Sequence, residues 1–162
     1  MKARISNQRL RDELIARLVK MFPGEVEVIR QGRVRRPTLY VRALNMPVSV
    51  LLAPPYCTPN RKRCWRVWPI HEERGMTVLL GRINETRSGF KDIFLMPGID
   101  KKAVAFRLNE NDAWLKRGTR LATLSAFCAV AGRVSRTRDK MPVSCSPQRS
   151  GYYTSPRLGK RG

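Results

Sequence analysis

The chain reads as a mixed α/β domain, a small central sheet flanked by helices, and three observations predict it. An amphipathic helical stripe opens the sequence, several short runs rich in β-branched and aromatic residues follow between turn residues, and a helical period returns near residue 120. Strands running between helices imply a sheet with helices packed on it. At 162 residues with 42% hydrophobic content, the chain holds enough apolar material for about one domain. We divide it into a basic folded domain, 1–134, and a basic tail, 135–162.

The opening stripe sets Leu10, Leu14, Leu18 and Met21 at helical spacing, widened by Ile15, Val19 and Phe22. It predicts a helix over 5–22, capped by Ser6 and stopped by Pro23-Gly24. Residues 25–29, Glu-Val-Glu-Val-Ile, alternate as a half-buried strand does, and 31–37 form a turn crowded with arginine. Strands are expected over 38–43 and 48–52, joined by a connection of hairpin length at 44–47, with Pro54-Pro55 ending the second. A polar loop, 56–62, leads to a strand over 63–68, in which Trp65 and Val67 alternate with Arg66 before Pro69 closes it.

From 71 to 84 the period changes. Met76, Leu79, Leu80 and Ile83 fit a helical face, which is the reading adopted, while Gly75, Gly81 and Thr77-Val78 leave a strand open. Two further strands, 91–96 and 103–108, flank the turn Pro97–Asp100. A closing helix is expected from Thr119, with Leu121, Leu124, Phe127, Cys128 and Ala131 on one side, ending near Gly132. Beyond Val134 the sequence is Ser, Pro, Gly, Thr and Arg with few apolar residues, a composition that predicts disorder in isolation.

Charge says more about partners than any motif does. Thirty-three Lys and Arg against twelve Asp and Glu give a net charge of +21; residues 135–162 hold +6 of it, leaving +15 on the domain itself. A domain so charged repels itself, and the cost is relieved when a polyanion's phosphates replace condensed counterions. Nucleic acid, DNA or RNA, is the expected partner. A membrane is not: no apolar run reaches the length of a spanning helix, and no segment joins a wide apolar face to a continuous basic one. The N-terminus has no uninterrupted apolar stretch of the secretory kind, so the expected location is cytoplasmic or nucleoid-associated. Oligomeric state is not legible.

The candidate interface consists of two arginine-rich stretches without an acid: Arg30, Arg33, Arg35, Arg36 and Arg42, then Arg61, Lys62, Arg63 and Arg66. A guanidinium fork holds two phosphate oxygens or stacks on a base, whereas an ammonium is a point charge. Tyr40, Trp65 and Trp68 lie among these cations. Tyr40 and Trp68 are candidate stacking faces for unpaired bases, and Trp65 reads as core because it shares its face with Val67.

Several chemistries lack their residues. There is no GxSxG elbow, and His71 is the single histidine available to a Ser-His or Cys-His relay. The run His71-Glu72-Glu73-Arg74 lacks the second histidine of HExxH, and no GxxxxGK[ST] phosphate loop exists. Cys57, Cys64 and His71 recur every seven residues but not as the close pairs of structural zinc sites, so no metal and no cofactor is expected.

The order helix, adjacent strands, helix, strand over residues 5–108 resembles the core layout of the PD-(D/E)XK nucleases. That resemblance implies magnesium held by an acid on one strand and a (D/E)xK tripeptide on the next. Thr38–Val41 and Val48–Leu51 carry no carboxylate where that family places them. The literal match is Asp100-Lys101-Lys102 with Asp92 upstream, so Asp92, Asp100 and Lys102 are the catalytic candidates that the resemblance supplies. Three functions follow as expectations: a nucleic-acid-binding protein acting through the phosphate backbone, a magnesium-dependent nuclease or its inactive relative, and a structural basic protein of a ribonucleoprotein.

Overall fold

The opening apolar stripe folds as helix α1, Asn7–Met21, burying Leu10, Leu14, Ile15 and Leu18 on one face. Ser6 Oγ accepts the backbone N–H of Arg9 at 3.2 Å, so the expected cap is present. The computed structural model describes residues 5–29, 37–60, 62–99 and 102–139, with the backbone alone described at residue 72 and residues 135–139. The arginine turn at 30–36 lies outside the described residues.

After α1 the chain lays down β1 (Val26–Ile29), β2 (Thr38–Val41) and β3 (Met46–Ala53) as an antiparallel meander. A 3-10 turn, Arg42–Leu44, ends β2 before its expected limit, and Asn45 takes the left-handed conformation (φ 48°) that a short polar side chain tolerates. As expected, Pro54 ends the strand, β3 stopping at Ala53. It marks the step from one sheet to another: β4 (Pro55–Cys57) occupies the start of the expected loop and pairs with β5 (Arg63–Val67).

The expected helix over 71–84 is instead a 3-10 turn, His71–Glu73, and strand β6, Thr77–Ile83, parallel to β3. The reason is burial. β6 lies between β3 and β7 (Phe90–Met96), and all seven of its residues are buried. A strand covered on both faces is apolar over most of its length and loses the alternation that identifies strands in sequence. β8 is shorter than expected, Phe106–Asn109, and pairs with β5. The closing helix also starts later. Thr119–Arg120 form β9 against β7, Leu124–Ala126 form a 3-10 turn, and α2 runs Phe127–Asp139, past the expected boundary at Val134. Residues 140–162 lie outside the described residues.

The fold is thus mixed α+β, with a six-stranded sheet ordered β1-β2-β3-β6-β7-β9 and a three-stranded sheet ordered β4-β5-β8. Side-chain alternation sorts the core into two halves. Val48, Val50 and Leu52 of β3, with Leu79 and Ile83 of β6 and Leu95 of β7, face α1 and α2. Leu51, Ala53, Val78, Leu80 and Met96 face the opposite way, onto Trp65, Val67 and Leu108 of the small sheet and onto Trp114 and Leu115. Helices therefore cover one face of the large sheet and the small sheet covers the other. Trp65 fastens the two sheets: its indole N–H donates to the Ile83 carbonyl at 2.8 Å, and its ring is 1% exposed. Closing both faces of β3 and β6 in this way contributes about 1.5–3 kcal/mol for each fully buried large side chain.

Candidate functional site

Of the expected interface, Arg30, Arg33, Arg35, Arg36 and Arg61 lie outside the described residues. The rest divide between the two sheets. Tyr40 and Arg42 belong to the β1–β2 edge of the large sheet, where the Tyr40 hydroxyl donates to Asn45 Oδ1 and the Arg42 guanidinium pairs with Glu27 at 2.8 Å. Lys62 and Arg63 enter β5, and Arg63 forms an ion pair with Glu85. Both acids come from outside the arginine-rich stretches. Two cations that sequence leaves uncompensated are therefore matched in space, by residues that strand pairing and packing bring to them.

Arg66 and Trp68 do come together. Alternation along β5 sends Trp65 and Val67 into the core and turns Arg66 outward; the guanidinium carbon sits 4.3 Å from the Tyr56 ring centroid and 5.0 Å from that of Trp68. On β4, Tyr56 is the register partner of Cys64, which places it on the same face as Arg66. On the other side of β5, Arg107 of β8 is directly opposite Arg66. The outer face of the small sheet thus presents Tyr56, Arg66, Trp68 and Arg107, with Trp68 47% exposed and Arg107 exposed. No carboxylate pairs with Arg66 or Arg107 among the described residues. Like charges directly opposite on a sheet destabilise it, so this is a place where the sequence gives up stability.

Tyr56 and Arg107 were not singled out by sequence. Tyr56 hides in a proline-flanked segment that reads as loop, and Arg107 is one alternating residue in a four-residue strand. The signal is the alternation itself: once 55–57 and 106–109 are strands, Tyr56 and Arg107 point away from the core that Trp65 and Leu108 fill.

Comparison with known proteins finds no matching family model, no similar curated protein and no similar solved structure.

Of the catalytic candidates, Asp92 and Lys102 fall among the described residues. Asp92, on β7, is engaged by Arg82 of β6 through two parallel bonds, Nε to Oδ1 at 2.8 Å and Nη2 to Oδ2 at 2.7 Å. Arg82 Nη1 also donates to the carbonyls of Asn109 and Glu110 at 3.0 and 3.1 Å, and its guanidinium lies 4.4 Å from the Trp65 centroid. The pair is almost wholly buried, with side chains 3% and 8% exposed. It ties β6 and β7 to the β8 end of the small sheet, a structural use of a fork geometry. Lys102 is exposed. Asp100 lies outside the described residues.

Beside that pair opens a cleft of about 510 Å³, lined by Lys91, Lys116 and Arg120 and by Asp92, Glu110 and Asp112. With Arg82 counted, four cations and three carboxylates are interleaved there. Lys91 bonds Glu110 at 2.8 Å and holds that carboxyl below the usual carboxylate range, first by the hydrogen bond and then by its charge. An anion entering this cleft meets acids as well as bases, which the outer face of the small sheet does not impose.

A second buried carboxylate, Glu73, accepts the Ser49 hydroxyl and the Ile70 backbone N–H at 2.8 Å, bracing the turn before β6. Among the described residues three cysteines are free thiols: Cys57 exposed, Cys64 buried and Cys128 between them. Burial pushes the Cys128 thiol up, with Glu25 adding to it. Among the described residues no three His, Cys, Asp or Glu converge as a metal site would need, and no helix is long and apolar enough to cross a membrane.

Proposed function

We propose that the protein binds nucleic acid, DNA or RNA, through the phosphate backbone, with the outer face of the small sheet as a principal contact surface. The observation that carries this reading is the Arg66–Arg107 pair: two arginines directly opposite each other on an exposed face, unmatched by acid among the described residues, in a chain of net charge +21. A phosphate between or beside them relieves their repulsion and releases counterions, so the cost the pair imposes on the free protein returns as affinity. Arginine also suits the role by geometry, because its fork spans two phosphate oxygens. The rest of the chain's excess positive charge adds sequence-independent attraction.

The nuclease reading gains no observation of its own. It needs Asp92 to face a metal and a scissile phosphate, and Asp92 is spent on Arg82. A panel of duplex DNA, single-stranded DNA and RNA, titrated at low salt with and without magnesium and with product sizes checked, tests the proposal. Saturable binding to at least one of them without cleavage is the expected result. Failure of every nucleic acid to bind at the lowest salt overturns it, and cleavage that disappears in Asp100→Asn, with the fold intact by circular dichroism, puts the nuclease reading in its place.

A further inference from the structure

The small sheet carries aromatic rings where phosphate binding alone would need none. Tyr56 and Trp68 both lie against Arg66, 4.3 and 5.0 Å from its guanidinium to their centroids, on an outward face. Partly exposed Trp is costly to leave in water, and two rings lying against a cation need not be exposed to stabilise a sheet whose inner face is already filled by Trp65, Val67 and Leu108. Duplex nucleic acid keeps its bases stacked on one another inside the helix, so flat rings on a sheet surface gain little from it. An unpaired strand offers both a phosphate for the arginines and a free π-face for the rings, and every base supplies that face.

We infer that the outer face of the β4-β5-β8 sheet is a stacking platform selective for unpaired bases, with Tyr56 and Trp68 receiving bases and Arg66 and Arg107 holding the flanking phosphates. This rests on the nucleic-acid reading above and narrows it to single-stranded substrate. Charge selects the occupant: an apolar peptide would leave both arginines unmatched, and the chain's own residues 135–162, net +6, are of the wrong sign. The arginine against the rings also fixes where they stand, so the platform is formed before the strand arrives and less ordering accompanies binding.

The test uses the full chain. Oligo(dT), oligo(rU), an oligonucleotide of the same length with abasic sites, and a duplex are titrated against it while intrinsic tryptophan fluorescence is followed. Trp65 is 1% and Trp114 5% exposed, so quenching by a stacked base reports Trp68. The expected result is that oligo(dT) or oligo(rU) quenches the emission and binds about tenfold or more tightly than the abasic strand, since each stacked base contributes at that scale. Trp68→Leu should abolish the quench and weaken the base-bearing strand about tenfold while leaving the abasic strand unchanged. Equal binding of base-bearing and abasic strands, with no quench, overturns the platform while the nucleic-acid reading stands. Absence of binding to any of the four overturns both. The abasic comparison is made on the unmodified protein, so it decides the matter even if Trp68→Leu fails to fold.

Discussion

Arg66 and Arg82 are both stacked on aromatic rings, and their partners set them apart. Arg82 satisfies its fork with Asp92 and two backbone carbonyls while lying 4.4 Å from the Trp65 centroid, and it is buried. Arg66 has rings and, among the described residues, no carboxylate. The first arrangement is complete in itself, and the second is the one that we propose receives an anion. Asp92→Ala should therefore destabilise the fold by about 3–5 kcal/mol, because it leaves a buried guanidinium uncompensated. Urea denaturation measures this; a loss under 1 kcal/mol would show that Arg82 finds another partner or water. At this scale the sequence is a poor guide. Arg42, Arg63, Arg66 and Arg82 are equivalent as letters, and the acids that match three of them, Glu27, Glu85 and Asp92, are brought across by strand pairing and packing.

Among the elements, the expectations that held are those whose signal is local. The α1 stripe and its Ser6 cap, the alternation of β1 and the Trp65–Val67 pattern of β5 each depend on one buried face, which a linear pattern records. The expectations that failed depend on two. β6 is covered by the helices on one side and the small sheet on the other, so its apolar run fits a helix equally well in sequence. The late start of α2 has a related cause: spacings of three between Leu121, Leu124 and Phe127 are shared by a 3-10 turn and an α-helix. Packing between elements also places a sharp requirement on Gly118, at the entry to β9. A Cβ there would lie 2.3 Å from Met96 Sδ and 2.6 Å from the Leu95 carbonyl oxygen. The thioether is able to move and the backbone of a central strand is not. Gly118→Ala should cost about 1–3 kcal/mol by overpacking, read as a lowered Tm. An unchanged Tm would mean that β9 shifts away from β7 without cost.

For the whole molecule, charge and layering act together. The two-sided core lets the large sheet be buried from both directions, which leaves the outer face of the small sheet available to carry Arg66, Arg107, Tyr56 and Trp68 without loss to the interior. The composition of the chain supports the class of partner that we propose, whereas the proposed contact face requires the pairing of β4 and β8 with β5, which no local pattern encodes. The most direct test is the salt dependence of binding to a single-stranded oligonucleotide, for the wild type and for Arg66→Gln/Arg107→Gln, with circular dichroism confirming the fold. Each phosphate contact on a single strand contributes about 0.7 to the slope of log K against log salt, so losing two should flatten it by about 1.4. A double variant that binds with the wild-type slope would contradict the account and move the phosphate contacts off this face.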